Sequence, residues 1–557
     1  MTRRRWLWLG CASVIAIAVA LSALVALSSR PFSSIDENAH VGYALDVTHG
    51  RLPTMDTDVR PAIQGMFRER TYVANHPPLY YAFAGVPLRL GIAAGYPIAG
   101  LFAARLLSAL FLAAGIAASI WAIRLLLPTR PRLALIGGAL FAVFPMFAQL
   151  GSVVMNDTAA FASVSLALAA AILVLRRGLT WRRVGLLAAA CCASALTRSS
   201  GLSVTLIAIA ACVIAGFRER EAGSRWPSRR ALAMTGCIPA AVIVTAAWFY
   251  IRNVVLYGDA TGAAAALRIF REPPHLSLAA GLFNGHFWEN LYQQLFGRTH
   301  YVFGAPKVLA YLAMGIAVAG VAVGLVRAVG KTRGIATRRR ARATGVRAFG
   351  LGDTQVQGVL LLTAQMLLTV IPFFLYASRG GATFSRYLIA GALVVVLAAA
   401  WALDALPGRS RGLPAVLALG LLTWVSVQLL SQDLAWLDDA QVHKTTFGRL
   451  VSGMNTNQVP AASFLTAALL TVVVCAFAGL AAALWNVGET ERDSGPVSRP
   501  TAHQPDSAAH RRVRGHRAAA HRRAGVAPSL RLRWIASLRL RPVRRLSIGS
   551  GLPRGSR

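Results

Sequence analysis

Long apolar runs recur from one end of the chain to the other, and they constrain its fold more than any other feature. Of the 557 residues, 56% are hydrophobic and 14% are charged, whereas soluble proteins carry roughly 25% charged residues. Lipid cannot satisfy backbone amides and carbonyls, so only α-helices and closed barrels cross a bilayer. Because the apolar runs are unbroken, the sequence predicts an all-α polytopic membrane protein.

The net charge of +37 would suit a nucleic-acid-binding protein, but its distribution argues against one. The arginines concentrate in the short connectors between apolar runs and in the C-terminal tail. This is the pattern that orients helices in a membrane, with basic loops on the cytoplasmic side. We therefore favour anionic lipid over nucleic acid as the partner of the basic tail.

Placing the basic connectors in the cytoplasm predicts about twelve crossings (11–13) of the cell membrane, with both termini cytoplasmic. The first span is interpreted as an uncleaved signal-anchor. The apolar segment 77–94 is short and contains prolines. It is predicted to be an interfacial or re-entrant helix on the outer face, since a crossing here would place every later basic connector outside. The predicted spans are approximately 6–28, 100–124, 133–149, 154–175, 184–197, 201–217, 231–251, 306–327, 355–376, 386–405, 413–430 and 460–485.

These spans divide the chain into a transmembrane domain, 1–486, and an arginine-rich cytoplasmic tail, 487–557. The tail is poor in large apolar residues and is predicted to be disordered. It could lie on the lipid surface, bind a protein or RNA partner, or result from read-through or a frame shift. Two long extracytoplasmic loops are expected, at 29–99 with juxtamembrane helices and at 252–305. The second contains "NGHFWENLYQQLFG", which is predicted to form an amphipathic helix that covers the site.

The first outer loop carries an unusual polar group in "IDENAH". If Asp36 begins a helix, then Asp36, Glu37 and His40 share one helix face through their i,i+3 and i,i+4 spacings. Such a group could hold a divalent cation or take a proton from an acceptor hydroxyl. The alternative is a helix N-terminus with ordinary acids on its positive dipole end and Ser33 or Ser34 as N-cap.

Two further segments bring polar residues to the same side of the membrane. In "NHPPLYYAF", His76 is expected to face the acid pair, although the segment could be only the start of an interfacial helix. Asp157 stands at the outer end of an apolar helix, where an ionisable residue indicates function. Asn156 could bind substrate or could be the N-cap of that helix.

A late segment, "SRGGATFSRYLIAG", places arginines at the outer end of another span. Arg379 and Arg386, with Tyr387, are candidates for binding a phosphate, because a guanidinium forms paired hydrogen bonds to phosphate oxygens. The alternative is snorkelling of the arginines to the interface. Further candidates of lower weight are Arg198, Arg252 and Arg298.

These motifs, in this order, resemble the C-type (GT-C) superfamily of integral-membrane glycosyltransferases. The closest branch contains the protein O-mannosyltransferases and the aminoarabinose transferases that act on lipid A. The resemblance covers about residues 1–405, and "HPPL" stands where that branch usually has Lys-Pro-Pro-Leu. It implies that Asp36 is the catalytic acid of the first loop and Glu37 its neighbour. It also implies that Asp157 is the second-loop acid and that Arg386 lies where a donor phosphate is held.

The sequence therefore predicts an enzyme that moves a sugar from a polyprenyl-phosphate donor to an extracytoplasmic acceptor, which could be a cell-wall glycan, a lipid or a protein. Asp36 is the expected base, with Glu37 and Asp157 as further catalytic residues. A divalent cation (Mg or Mn) on Asp36 and Asp157 stays open. The rival functions are a transporter or flippase of polyprenyl-linked lipids or polysaccharide precursors, and a non-catalytic scaffold. The residues expected to bind substrate are His40, His76, Asn156, Arg379, Arg386 and Tyr387.

Overall fold

The computed structural model describes residues 2–33, 36–220, 224–269, 277, 283–296, 353–405, 412–436 and 444–493. All of these residues belong to one compact unit, Met1–Gly495. Their regular structure is helical, and the one strand-like feature among them is an isolated bridge between Asp58 and Arg70. The predicted span 306–327 and the tail from 494 onward lie outside the described residues.

The α-helices are numbered here in chain order. They are α1 Arg3–Ser28, α2 Glu37–Thr48, α3 Leu79–Ala93, α4 Pro97–Leu126, α5 Pro131–Val143, α6 Pro145–Leu150, α7 Asp157–Arg177, α8 Trp181–Ala195, α9 Ser203–Arg218, α10 Arg229–Tyr257, α11 Ala263–Ile269, α12 Gly285–Gln293, α13 Asp353–Ser378, α14 Ala392–Ala405, α15 Leu413–Trp436, α16 Thr446–Thr456 and α17 Ala462–Asp493. Two short 3₁₀ helices, Ser199–Leu202 and Ser385–Gly391, lead into α9 and α14.

The predicted all-α polytopic class is confirmed. Among the described residues, nine helical segments are long and apolar enough to cross a membrane. Each corresponds to one of the spans predicted from the sequence. These segments are Arg3–Ser28, Pro97–Leu126, Asp157–Arg177, Ser199–Arg218, Arg229–Tyr257, Asp353–Ser378, Ser385–Ala405, Leu413–Gln432 and Ala462–Val487.

Two predicted spans take a different form. The segment 133–149 is divided into α5 and α6, because Pro145 has no amide hydrogen and disfavours a helical conformation at Phe144. Phe144 accordingly has extended backbone angles, with φ −71° and ψ 126°. The segment 184–197 lies within the 15-residue helix α8 and the turn after it. All three helices, α5, α6 and α8, are shorter than the roughly 20 residues that span a bilayer without help from neighbours.

The interfacial segment 77–94 contains α3, which has 15 residues and includes Pro87. This length is below that of a typical spanning helix. Its placement on the outer face stays a prediction, as do the cytoplasmic positions of the two termini. At the other end of the chain, α17 continues past the predicted boundary at 486.

The centre of the bundle is formed by α1, α4 and α7. In the most apolar 18-residue stretch of each helix, 83% of the residues are buried in α7 and 67% in α1, compared with 28% in α10 and 22% in α17. Close approach between α4 and α7 depends on Gly115, since a Cβ there would lie 2.3 Å from the Phe161 ring. Small residues allow such contacts between membrane helices, where packing replaces the hydrophobic effect.

The loop 29–99 has an apolar cluster of its own. Residues of α2, α3, the start of α4 and the 59–73 stretch form this cluster, which is separate from the main core. Tyr43, Tyr80 and Tyr81 are fully buried in it. This packing holds the loop together as a layer at one end of the bundle, and the polar residues of the first motif lie within it.

Candidate active site

Glu37 forms a completely buried ion pair with Arg105 of α4. The two side chains have no exposed surface, and two hydrogen bonds of 2.8 Å and 2.6 Å join the guanidinium to the carboxylate. A buried charge pair is tolerated only when the remaining donors and acceptors are also satisfied. Both groups are satisfied here. The guanidinium donates to the carbonyls of Ala26, Ser29 and Arg30. The carboxylate accepts from the amides of Phe32 and Val154.

Asp36 lies next to Glu37 in sequence but occupies a different environment. Its carboxylate accepts a 2.5 Å hydrogen bond from Arg386 and a 2.8 Å hydrogen bond from the Tyr72 hydroxyl. The side chain keeps 16% of its surface exposed. Burial opposes ionisation, but the charge of Arg386 and the two hydrogen bonds outweigh it. The pKa of Asp36 is therefore lowered below its ordinary value.

The backbone explains why the two acids diverge. Helix α2 begins at Glu37, and Asp36 is its N-cap residue with φ +70°, so neither Ser33 nor Ser34 takes that position. Left-handed geometry at a residue other than glycine costs about 1–3 kcal/mol and requires support from the surroundings. The prediction rested on Asp36 beginning the helix, and Asp36 lies outside it, whereas Glu37 and His40 keep their i,i+3 spacing in α2 and Glu37 pairs with Arg105.

A second ion pair joins Asp157, the first residue of α7, to Arg198 in the turn after α8. The shortest distance is 2.5 Å, and Arg198 also donates to the Asn156 side chain at 3.3 Å. Asn156 is the N-cap residue but makes no capping hydrogen bond with its side chain. Its amide instead donates to the Thr197 carbonyl at 2.9 Å. Asn156 thus connects the start of α7 to the end of α8.

Tyr387 connects the two ion pairs. The guanidinium carbon of Arg198 lies 5.2 Å from the centre of its ring, and that of Arg386 lies 5.6 Å from the same ring. An aromatic face attracts a cation at this distance. Two arginines are thereby held near each other, with the charge of each offset by one carboxylate, Asp36 or Asp157.

Two histidines lie beside these pairs. His40 and His76 stack with their ring centres 6.3 Å apart, and His40 Nδ1 is 2.8 Å from the Tyr81 hydroxyl. Burial lowers the pKa of His40 to about 4, although the carboxylates of Asp36 and Asp157 act in the opposite direction. Burial also lowers the pKa of His76 well below its usual value, reinforced by Arg198. Both rings are therefore neutral near pH 7.

The structure thus brings together Asp36, Asp157 and Arg386 with the other predicted residues His40, His76, Asn156 and Tyr387. Arg379 is not among them; it is exposed after the end of α13, and no described contact connects it to the cluster. Arg252 lies elsewhere, donating to the carbonyls of Leu52 and Pro53. Arg298 lies outside the described residues.

The sequence gives little or no indication of three residues of the site, which are Arg105, Arg198 and Tyr72. Arg105 interrupts the apolar run "LFAARLLSALFL", and an ionisable residue inside a span is a recognisable signal. Arg198 ranked only as a minor candidate, because a single arginine in a short outer turn resembles any loop arginine. Tyr72 has no sequence signal, since only the folded loop places its hydroxyl on Asp36.

Several buried polar atoms of the cluster have no hydrogen-bond partner among the described residues. They include Arg386 Nε, a donor, and Asp157 Oδ2, an acceptor, together with His76 Nδ1. An unsatisfied buried polar atom costs about 1–3 kcal/mol, so a native structure retains it for a reason. A ligand with both acceptor and donor groups would satisfy all three atoms.

A divalent cation does not fit these residues. Asp36 and Asp157 are each paired with an arginine, which competes for the oxygens that Mg²⁺ or Mn²⁺ would need. The described part of the chain contains no group of three or more His, Cys, Asp or Glu side chains that could hold a metal ion. We therefore derive no catalytic step through a metal.

No family model and no curated protein matches the chain. Among solved structures it is similar to ArnT from Cupriavidus metallidurans bound to undecaprenyl phosphate, at 17% identity over 86% of this chain and 77% of that one, with a TM-score of 0.44. It is similar to the arabinofuranosyltransferase AftD from Mycobacteria at 17% identity over 79% and 29%, with a TM-score of 0.39. For the Archaeoglobus fulgidus oligosaccharyltransferase the values are 15% identity, 85% and 56%, and 0.35. At these identities the likeness concerns the fold alone.

Proposed function

We propose that this protein is a membrane glycosyltransferase that moves a sugar from a polyprenyl-phosphate donor to an extracytoplasmic acceptor. The observation that carries the proposal is the Asp36 carboxylate, partly exposed and held between Arg386 and Tyr72. Beside it lie a second arginine–carboxylate pair and donor and acceptor atoms that have no partner among the residues the structure describes. This set suits a ligand that carries a phosphate and several hydroxyl groups.

The reaction uses these residues in a simple way. An acceptor hydroxyl attacks the anomeric carbon of the donor sugar, a new glycosidic bond forms, and the bond from that carbon to the phosphate oxygen breaks. The proton of the hydroxyl passes to Asp36, and polyprenyl phosphate leaves. A base must be ionised to accept a proton, and the lowered pKa of Asp36 ensures this near neutral pH.

The arginines have a separate role in the proposal. Arg386 and Arg198 offset the charge that develops on the leaving phosphate, and a guanidinium provides donors in a planar arrangement that matches phosphate oxygens. When phosphate takes hydrogen bonds from Arg386, the neutralising effect of that arginine on Asp36 decreases. The pKa of Asp36 then rises, which makes the carboxylate a stronger base when the donor is bound.

The remaining polar residues bind the sugar. Asp157 Oδ2 and His76 Nδ1 are buried and have no hydrogen-bond partner in the described part of the chain, so each can hydrogen-bond a sugar hydroxyl. Glu37 has no exposed surface and is surrounded by donors. We therefore assign it to support of the loop rather than to chemistry, which revises the catalytic role expected from the acid pair.

Sugar transfer in membranes that contain the full chain tests the proposal. Donors would be radiolabelled polyprenyl-phosphate mannose and polyprenyl-phosphate arabinose, with the acceptors present in the membranes. Asp36→Asn should reduce transfer by about 10²–10⁴-fold at equal protein level, the usual contribution of a general base. The matched control is Asp46→Asn on the same helix; Asp46 pairs with Arg51, and transfer should be unchanged.

Equal transfer by wild type and Asp36→Asn, or no transfer with any donor, would contradict the proposal. The second possibility, a transporter or flippase of polyprenyl-linked lipids, would then be tested with the same donors in sealed vesicles. Movement of a labelled donor between leaflets without sugar transfer would support it.

A further inference from the structure

The side chain of Gln294 binds the backbone that leads directly into Arg386. Its Nε2 donates to the Thr383 carbonyl at 3.1 Å, and its Oε1 accepts from the Ser385 amide at 2.8 Å. One amide group thus pairs with both a donor and an acceptor of the same extended stretch. A side chain used in this way fixes the position of a backbone segment as a neighbouring strand would.

The segment that carries Gln294 is itself anchored on two other parts of the bundle. Phe287 and Leu291 of α12 are buried and form a cluster with Phe373 and Phe374 of α13. The carbonyl of Leu295 accepts a hydrogen bond from the Met146 amide at the start of α6. Gln294 therefore lies between two fixed contacts and transmits their position to residues 383–385.

Arg386 is sensitive to this position because it follows the fixed stretch at once. Its guanidinium lies over the ring of Phe384, 4.7 Å from the centre, and reaches Asp36 at 2.5 Å. A displacement of the 383–385 backbone moves both the ring and the guanidinium. Since hydrogen bonds weaken steeply with distance and angle, Arg386 would lose its geometry toward Asp36 and toward a bound phosphate.

We propose that Gln294 is a positioning residue that sets the affinity of the site for the donor phosphate by holding the backbone before Arg386. The proposal rests on the function proposed above. Gln294 does not contact the reacting atoms, so its loss should affect donor binding more than the chemical step. This separates it from Asp36, whose loss should affect the rate of transfer.

The test compares Gln294→Leu with Gln293→Leu in the full-length purified protein. Leucine is close in size but forms neither hydrogen bond. Gln293 is the matched control, because among the described residues its side chain bonds Glu289 on the same helix and not the 383–385 backbone. We expect Gln294→Leu to weaken binding of polyprenyl phosphate by about tenfold and to raise the donor KM by a similar factor, with kcat changed less than about threefold. Gln293→Leu should leave both constants unchanged.

A conservative variant distinguishes positioning from a loss of folding. Gln294→Glu keeps the acceptor for the Ser385 amide but cannot donate to the Thr383 carbonyl, so its donor KM should lie between those of wild type and Gln294→Leu. Thermal unfolding of each variant in detergent records whether the fold is intact. Equal effects of Gln294→Leu and Gln293→Leu, or a fall in kcat alone, would overturn the proposal.

The two proposals fail in different ways. If wild-type protein binds no polyprenyl phosphate, the proposed function is contradicted and the role of Gln294 falls with it. If wild type binds polyprenyl phosphate and Gln294→Leu binds it equally well, only the role of Gln294 is contradicted.

Discussion

Glu37 and Asp36 are neighbours in sequence, and each carboxylate pairs with an arginine from a distant helix. The Glu37–Arg105 pair has no exposed surface, and its hydrogen-bonding groups are taken up by the C-terminal end of α1, the 29–33 turn and the amide of Val154. The Asp36–Arg386 pair keeps about 15% of each side chain exposed, and Arg386 Nε has no partner among the described residues.

This difference separates a structural ion pair from a reactive one. A fully satisfied pair can only lose stability when it is disturbed, since both charges have left water and have no alternative partners. A partly satisfied pair at a polar cavity can exchange one partner for a ligand. The strained backbone at Asp36, φ +70°, is consistent with this view, because strain of this kind is found at functional sites. The comparison leads to four predictions.

The largest effect is expected from removing Arg105, the partner of Glu37 in the fully buried pair. Arg105→Met leaves the Glu37 charge buried without compensation and should destabilise the protein by about 3–5 kcal/mol. Arg386→Met should cost no more than about 1–2 kcal/mol, because Asp36 retains access to water. Unfolding of the purified protein in mixed micelles measures both. Adding Glu37→Met to Arg105→Met should restore much of the lost stability. Similar losses of stability in Arg105→Met and Arg386→Met would refute the distinction between the fully buried pair and the partly exposed pair.

The next effect is on stability and depends on pH, and it comes from the histidines beside the Asp36–Arg386 pair. The pKa of His40 is lowered to about 4 from an ordinary value of 6.5, so between these values the unfolded chain binds a proton that the folded protein does not. Stability therefore falls as the pH decreases from about 6.5 to about 4, by about 2–4 kcal/mol for this group. Thermal unfolding at several pH values should show a weaker dependence in His40→Gln, which can still bond Tyr81.

The control for this prediction is His49→Gln at the end of the same helix, where the imidazole is exposed. Its pH dependence should match wild type. If His40→Gln also matches wild type, His40 is not held neutral in the folded protein, and the burial of this ring beside the Asp36–Arg386 pair does not lower its pKa.

The third effect concerns Arg386, the arginine that pairs with Asp36. Arg386→Lys keeps the charge but loses the planar set of donors, so the donor KM should rise by about tenfold while the stability changes by less than about 1 kcal/mol. Steady-state transfer with varied donor concentration provides the measurement. Arg379→Lys should have no effect, because Arg379 lies outside the cluster. A larger effect at Arg379 would place the phosphate elsewhere.

The smallest effect is expected at Tyr72, which donates to Asp36 but not to Glu37. Removing the hydroxyl in Tyr72→Phe withdraws a hydrogen bond from the charged form, so the pKa of Asp36 rises. The acid limb of kcat/KM should move to higher pH by up to about one unit. Tyr257→Phe, whose hydroxyl accepts from the Met55 amide, serves as the control. A shift to lower pH would contradict Asp36 as the base.

Much of the architecture could be predicted because lipid leaves few alternatives. Apolar runs of about 20 residues form helices, and nine of the described helices lie where these runs occur. The break at Pro145 shows the limit of this reasoning, since apolarity predicts one span while the missing amide hydrogen divides it into α5 and α6. Short apolar segments are less certain because neighbouring helices decide how they are accommodated.

The sequence by itself determined that the chain is a bundle of apolar helices and that acids, histidines and an arginine collect at helix ends. It could not decide which of two adjacent acids would be buried, because periodicity places Asp36 and Glu37 on one helix face. Tertiary structure decided this through Arg105, whose side chain on α4 pairs with Glu37, and through the left-handed backbone that directs Asp36 to Arg386 and Tyr72. The physical reason is that charge pairing in a medium of low dielectric depends on distances between groups far apart in sequence.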